Sequence, residues 1–216
     1  MRRLIKALLI GGAAVMSATS ANAGVSINFS NGTGGLTAGE TLFASFDSGP
    51  SSYGGVTGSL YSILTGGSSA GADPAVGTMG DPYLSVLGGG FASFTFAGLT
   101  QLGFDYGSAD GYNTFQLFFS DGTNQILTGT DIISAAADGN QTAPRTNGRV
   151  TFTAAANQLI TGLRLSSTTN SLETDNYGII SAVPEPATWG LMIFGIAGIG
   201  GAMRRRRSLA NVRYAY

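Results

Sequence analysis

In Phe91-Ala-Ser-Phe94-Thr-Phe96 the rings of Phe94 and Phe96 share one side of an extended backbone and Thr95 takes the other. The same period of two returns in Val150, Phe152 and Ala154 against Thr151 and Thr153, and in Leu163 and Leu165 against Arg164. Apolar runs this short, cut apart by many of the chain's 34 glycines and by Ser and Thr, are the marks of an all-β domain. Candidate strands are residues 25–29, 41–46, 59–65, 83–87, 91–96, 101–106, 114–119, 125–128, 149–154, 160–166 and 177–182. Asp121-Gly122 supplies a tight hairpin turn after Phe119. Residues 66–80, rich in Gly, Ser and Ala, read as a loop, and 131–137 as either a strand or one helical turn. Eight to eleven strands in about 160 residues predict a two-sheet sandwich of jelly-roll type.

The two ends are built differently. Residues 1–23 begin with Arg2, Arg3 and Lys6, continue through an apolar run, and close on Ala21-Asn22-Ala23, the small-x-small pattern of a signal peptidase site. Cleavage after Ala23 leaves Gly24 first, and the chain is expected to be exported. At the other end VPEPATWGLMIFGIAGIGGAMRRRR runs from Val183 to Arg207. Pro184 and Pro186 lack an amide hydrogen and bias their predecessors to extended backbone. Residues 187–203 form an uncharged span of roughly 26 Å at helical rise, just enough to cross a bilayer core. Arg204, Arg205, Arg206 and Arg207 stop transfer and stay cytoplasmic, with residues 208–216 as a cytoplasmic tail, and Trp189 falls near the opposite interface. Gly195, Gly198, Gly200 and Gly201 make so short a helix a weak permanent anchor, since each glycine costs about 1 kcal/mol in a helix interior.

Pro184, Glu185, Pro186 and Trp189, closed by the arginine cluster over residues 184–207, resemble the PEP-CTERM sorting signal in its PEPxxWA form, with Gly190 where alanine is usual. The resemblance implies a substrate of an exosortase in a Gram-negative bacterium. Such a protein passes the inner membrane, is held there transiently by its C-terminal helix, and ends at the cell surface or in the extracellular matrix. Phe104 to Thr114 and the acidic strand around Glu173, Asp175 and Asn176 resemble segments common in the ectodomains of such proteins, and no activity is implied by either.

Between the ends lies one domain, residues 24–183. Its charge is far from the whole-chain value of −1: eleven acids face Arg145, Arg149 and Arg164, so 3 − 11 = −8. That balance excludes nucleic acid and anionic lipid as partners, since both need a basic patch. It suits neutral glycans, including exopolysaccharide, and divalent cations. Without cysteine the domain relies on packing alone. Without histidine as well, Ser-His-Asp and Cys-His catalysis and ordinary zinc, haem and iron–sulfur ligation are excluded. No cofactor is expected apart from calcium, for which Asp105, Asp110, Asn113, Asp175 and Asn176 are the candidate ligands if their strands return side by side. The same residues also suit turns. Tyr106 and Tyr112, flanking one loop, are candidates for stacking on sugar rings, and Arg145 and Arg149 are expected to offset the acidic field. No pair of acids stands out for glycoside hydrolysis. The expected function is non-enzymatic: an exported surface or biofilm-matrix protein. A carbohydrate-binding or calcium-dependent adhesive module is the alternative, and a glycan-active hydrolase the third reading.

Overall fold

The computed structural model describes residues 24–47, 55–74, 80–133, 136–182 and 186–209. Among the described residues nine strands carry the fold: β1 (Val25–Asn31), β2 (Thr41–Ala44), β3 (Thr57–Leu64), β4 (Tyr83–Gly107), β5 (Asn113–Phe119), β6 (Asn124–Thr128), β7 (Gly148–Ala154), β8 (Ile160–Ser167) and β9 (Leu172–Ser181). A short helix, α1 (Gly129–Ile133), follows β6, and a 3-10 turn at Pro144–Thr146 precedes β7. Every strand pairing is antiparallel.

The three candidate strands 83–87, 91–96 and 101–106 are one strand of 25 residues. The glycines between them bend the chain without breaking it. Gly89 lies at φ +77° in the bulge opposite β3, and Gly98 at φ +129° marks the shift of register between Thr95 and Leu99. The first half of β4 lies between β3 and β8, continuing to β5 and β6. Its second half lies between β7, which leads to β1, and β9, which carries β2. Thr174 of β9 pairs with both Leu84 and Tyr106, so the two halves of β4 meet across it. The sheet thus curls into two layers with β4 common to both.

The core fills the space between the layers. Phe94 and Phe115 of one layer meet Tyr177 and Phe104 of the other, with ring centroids 4.6 Å and 5.9 Å apart. Phe104 also contacts Phe152 at 5.8 Å. These side chains are buried; β5 alternates as expected, whereas β7 is buried on both faces from Gly148 to Phe152, Thr151 included. The hairpin between β5 and β6 turns at Asp121-Gly122, with the Phe119 amide donating to the Thr123 carbonyl at 3.0 Å. The open reading of 131–137 resolves in part as α1.

The last element is α2 (Pro186–Leu209), whose first residue is the proline that best suits a helix start. It is 24 residues long, yet among the described residues no helix is long and apolar enough to cross a membrane. The expectation of a spanning helix is corrected here. The uncharged stretch is short, and glycine at five of its positions, 190, 195, 198, 200 and 201, dilutes it.

Candidate functional site

Two polar groupings lie near the end of the sandwich where β4 finishes and β9 begins. The first is buried and closed. Arg149 of β7, 1 % exposed, donates from Nη2 to Glu40 Oε2 at 2.6 Å and from Nη1 to Asp105 Oδ1 at 3.0 Å. The Asp105 carboxylate also accepts from the Gly35 amide (2.9 Å and 3.0 Å) and from Asn176 Nδ2 (3.0 Å). Burial raises the Asp105 pKa, and these donors pull against it. Burial works the same way on Glu40, where the Thr37 amide and Arg149 outweigh it and hold the carboxyl below its ordinary value. The arrangement pins the segment ahead of β2 to β7, β4 and β9.

The second grouping is an open polar cleft of about 250 Å³. Glu173, 2 % exposed, forms its floor. Its carboxylate accepts from Ser108 Oγ at 2.6 Å, from Ser171 Oγ, and from the Ala72 amide at 3.4 Å. Asp110 stands across the cleft over Gly139, where an added Cβ would meet its carboxylate oxygens at 2.6 Å. The Tyr112 hydroxyl lies between Asp110 and the Asn170 carbonyl, to which it donates at 3.1 Å. Burial pushes both carboxyls up; Asp138 repulsion adds to the rise at Asp110, and Asp110 repulsion to that at Glu173. The cleft therefore offers hydroxyls and carboxylates at close range, groups that exchange hydrogen bonds with the hydroxyls of a saccharide.

The candidates from the sequence divide between these places. Asp105, Asp175 and Asn176 come together, Asp105 and Asp175 as cross-strand partners on β4 and β9. Asp110 goes to the cleft. Asn113 is buried, donating to the Tyr106 hydroxyl at 2.9 Å and accepting from Ser167 Oγ at 3.0 Å. The five do not form one cation site, and among the described residues no three acidic side chains are gathered as a metal group. Tyr106 is fully buried against Phe115, with ring centroids 5.1 Å apart, and has no face left for a sugar. Tyr112 does line the cleft. Arg145 pairs with Asp138 at the surface (2.5 Å), while Arg149 serves the buried grouping. Ser171, Asn170 and Gln141 are not singled out by the sequence, and Ser108 falls in the 104–114 segment without being named as a site residue; the fold gathers all four. Ala21, Ala23, Pro184 and Glu185 lie outside the described residues; Gly24 opens the described chain, its carbonyl accepting from the Ala155 amide at 3.2 Å. Trp189 and Arg204 are exposed on α2, whose Arg205, Arg206 and Arg207 side chains lie outside the described set.

No curated protein matches the sequence. Among solved structures, TmCBM61 in complex with beta-1,4-galactotriose is similar at 13% identity and a TM-score of 0.36, over 64% of this chain and 95% of that one. The family 11 carbohydrate-binding module of the cellulosomal cellulase Lic26A-Cel5E of Clostridium thermocellum is similar at 12% identity and a TM-score of 0.25, over 70% of this chain and 99% of that one. The residues after β9 match a family model over a short, defined stretch, and that match implies export, membrane-associated sorting and exosortase processing. Following directly on a folded β-domain, residues 182–207 of this chain are the PEP-CTERM protein-sorting motif.

Proposed function

We propose that this is an exported, non-enzymatic surface or extracellular-matrix protein, processed at its sorting motif by an exosortase-type enzyme and associated with exopolysaccharide. The observation that carries the reading is the motif at 182–207, beginning one residue after β9 ends at Ser181. The sandwich, which we read as jelly-roll-like from its strand count, is then the delivered cargo. Intact mass of the extracellular form tests the delivery. The expected product starts at Gly24 and lacks the arginine cluster, and a product that keeps Trp189 through Arg207 overturns the reading.

A second reading, a carbohydrate-binding module, is favoured by the cleft, where Asp110, Glu173, Ser108 and Tyr112 face one space. Neutral oligosaccharides titrated onto the protein, with Asp110→Ala as comparison, separate it from passive matrix association. Binding lost in the variant supports a lectin-like cleft. Turnover of the polysaccharide instead makes Asp110 and Glu173 a hydrolytic pair and removes the non-enzymatic reading.

A further inference from the structure

The polar cleft is assembled from four segments that are far apart in the chain. Ser108, Asp110 and Tyr112 come from the turn after β4, and Asn170, Ser171 and Glu173 from the approach to β9 and its start. The other walls are the segment between β3 and β4 and the one after α1. Hydrogen bonds tie both walls in. Asn170 Nδ2 donates to the Ser69 carbonyl at 3.1 Å, and the Gly139 amide to the Ala109 carbonyl at 3.0 Å. Inside, protons are in short supply. A hydroxyl has one proton and two lone pairs. Ser108 and Ser171 both turn their proton onto Glu173, and Tyr112 holds its own between Asp110 and the Asn170 carbonyl. What these three hydroxyls and the two carboxylates present to an incoming molecule is therefore lone pairs.

No cation of the protein lines this space. The domain has three basic side chains, and each is engaged elsewhere: Arg149 with Glu40 and Asp105, Arg145 with Asp138, and Arg164 over the ring of Phe91 at 3.8 Å. There is no lysine among residues 24–183. Burial disfavours the charge on Glu173, and Asp110 repels it further. The lining is also unusual for a small-molecule site, which is ordinarily made mostly of apolar and aromatic side chains. Among the described residues Tyr112 is the one ring that lines the cleft, and no aliphatic side chain joins it. At about 250 Å³ the space is smaller than the roughly 300–1,000 Å³ of drug-sized sites, so it suits one sugar ring or a chain end.

We propose that the cleft takes a hexosamine residue with a free amino group, the ammonium set against Asp110 and Glu173, as part of an amino-sugar polysaccharide. A primary ammonium brings three donors and no acceptor, which is what a space lined by lone pairs lacks. Its bonds to carboxylates are charge-assisted and roughly twice as strong as neutral ones. It also supplies the counter-charge that no side chain of the domain brings to the cleft. The proposal rests on the carbohydrate-binding reading of this cleft and narrows it to cationic sugars, against neutral and acidic ones.

Isothermal titration of the full chain in mild detergent tests it, at about pH 6.5, below the ordinary range of an α-amino group. The probes are a glucosamine oligomer, its N-acetylated form, a neutral glucose oligomer of the same length, and spermidine. The glucosamine oligomer is expected to bind at least about tenfold more tightly than the other three, and Asp110→Asn and Glu173→Gln each to weaken it about tenfold or more. Asp121→Asn, in the exposed hairpin turn, should bind as wild type does. If Glu173→Gln fails to fold, Asp110→Asn and the ligand series on wild type decide the matter. Neutral or N-acetylated oligomers that bind as well as glucosamine, and are lost in Asp110→Asn, keep the carbohydrate-binding reading and overturn this proposal alone. Spermidine binding as well as the oligomer means that the cleft reads the ammonium without the sugar, and overturns it. Equal loss in Asp110→Asn and Asp121→Asn means that the overall charge of the domain holds the oligomer, and overturns it too. No binding of any saccharide removes both readings together.

Discussion

Arg149 joins residues that are 109 and 44 positions away in the chain, Glu40 and Asp105. Removing one member of a buried ion pair leaves the others undercompensated, so Glu40→Gln is expected to lower stability by about 3 kcal/mol in urea unfolding at neutral pH. The sign of its pH dependence follows from the depressed Glu40 carboxyl. Its contribution is complete above the ordinary value of 4.5 and is lost as pH falls through the lower folded value. The acid limb of the stability curve should therefore flatten in Glu40→Gln. Asp110 has the opposite sign. With its carboxyl raised above 3.8, its contribution is present at low pH and fades as pH rises through the folded value. Asp110→Asn should remove that decline, read from urea midpoints across pH 3 to 7, numbers on the order of the ordinary carboxylate range. Neither role was legible in the sequence. Glu40 draws no notice in the sequence and Arg149 is expected only to offset the acidic field, until the register of β4 and β7 sets Asp105 opposite Arg149.

At the scale of elements, β4 shows which parts of a strand pattern can be read and which cannot. The alternation of Phe94 and Phe96, and the existence of β5, β7 and β8 as strands, follow from period two, but which strand each one pairs with does not. Nor does it follow that Gly88-Gly89-Gly90 bends the chain without ending the strand, because glycine punctuates turns and bulges alike. Gly90 is where the difference is felt. A Cβ there would lie 2.3 Å from the Leu60 carbonyl oxygen, a contact with backbone that no rotamer can relieve. Gly90→Ala should lower stability by about 2–3 kcal/mol, and hydrogen exchange should show the loss first in β3. The helix α2 obeys a different logic: Pro186, read as part of the extended approach, is its first residue, while its weakness as a span was already visible in the glycines. Replacing Pro184 and Pro186 by alanine keeps the apolar stretch and the arginines but not the extended approach to them. Precursor retained with the membrane is the expected result, seen by fractionation and immunoblot; normal release would make the proline pair irrelevant to sorting.

For the whole molecule the governing quantity is charge. Residues 24–183 carry 3 − 11 = −8, and the basic residues that bring the chain to −1 lie in the two end segments. A domain trimmed at both ends should therefore gain stability with added NaCl, by a few degrees in Tm between about 20 and 300 mM, as screening weakens self-repulsion. The course of β9 has a consequence for how the domain is presented. That strand runs from Glu173, on the cleft floor, to Ser181, where the chain passes into the sorting motif. Eight steps of an extended strand cover roughly 26 Å. Val25, near the start of the described chain, pairs with Ala154 beside the Gln101 and Ile180 row, so it lies at the same pole as Ser181. The cleft and the start of the sorting motif therefore stand about a domain's length apart, at opposite ends of one strand.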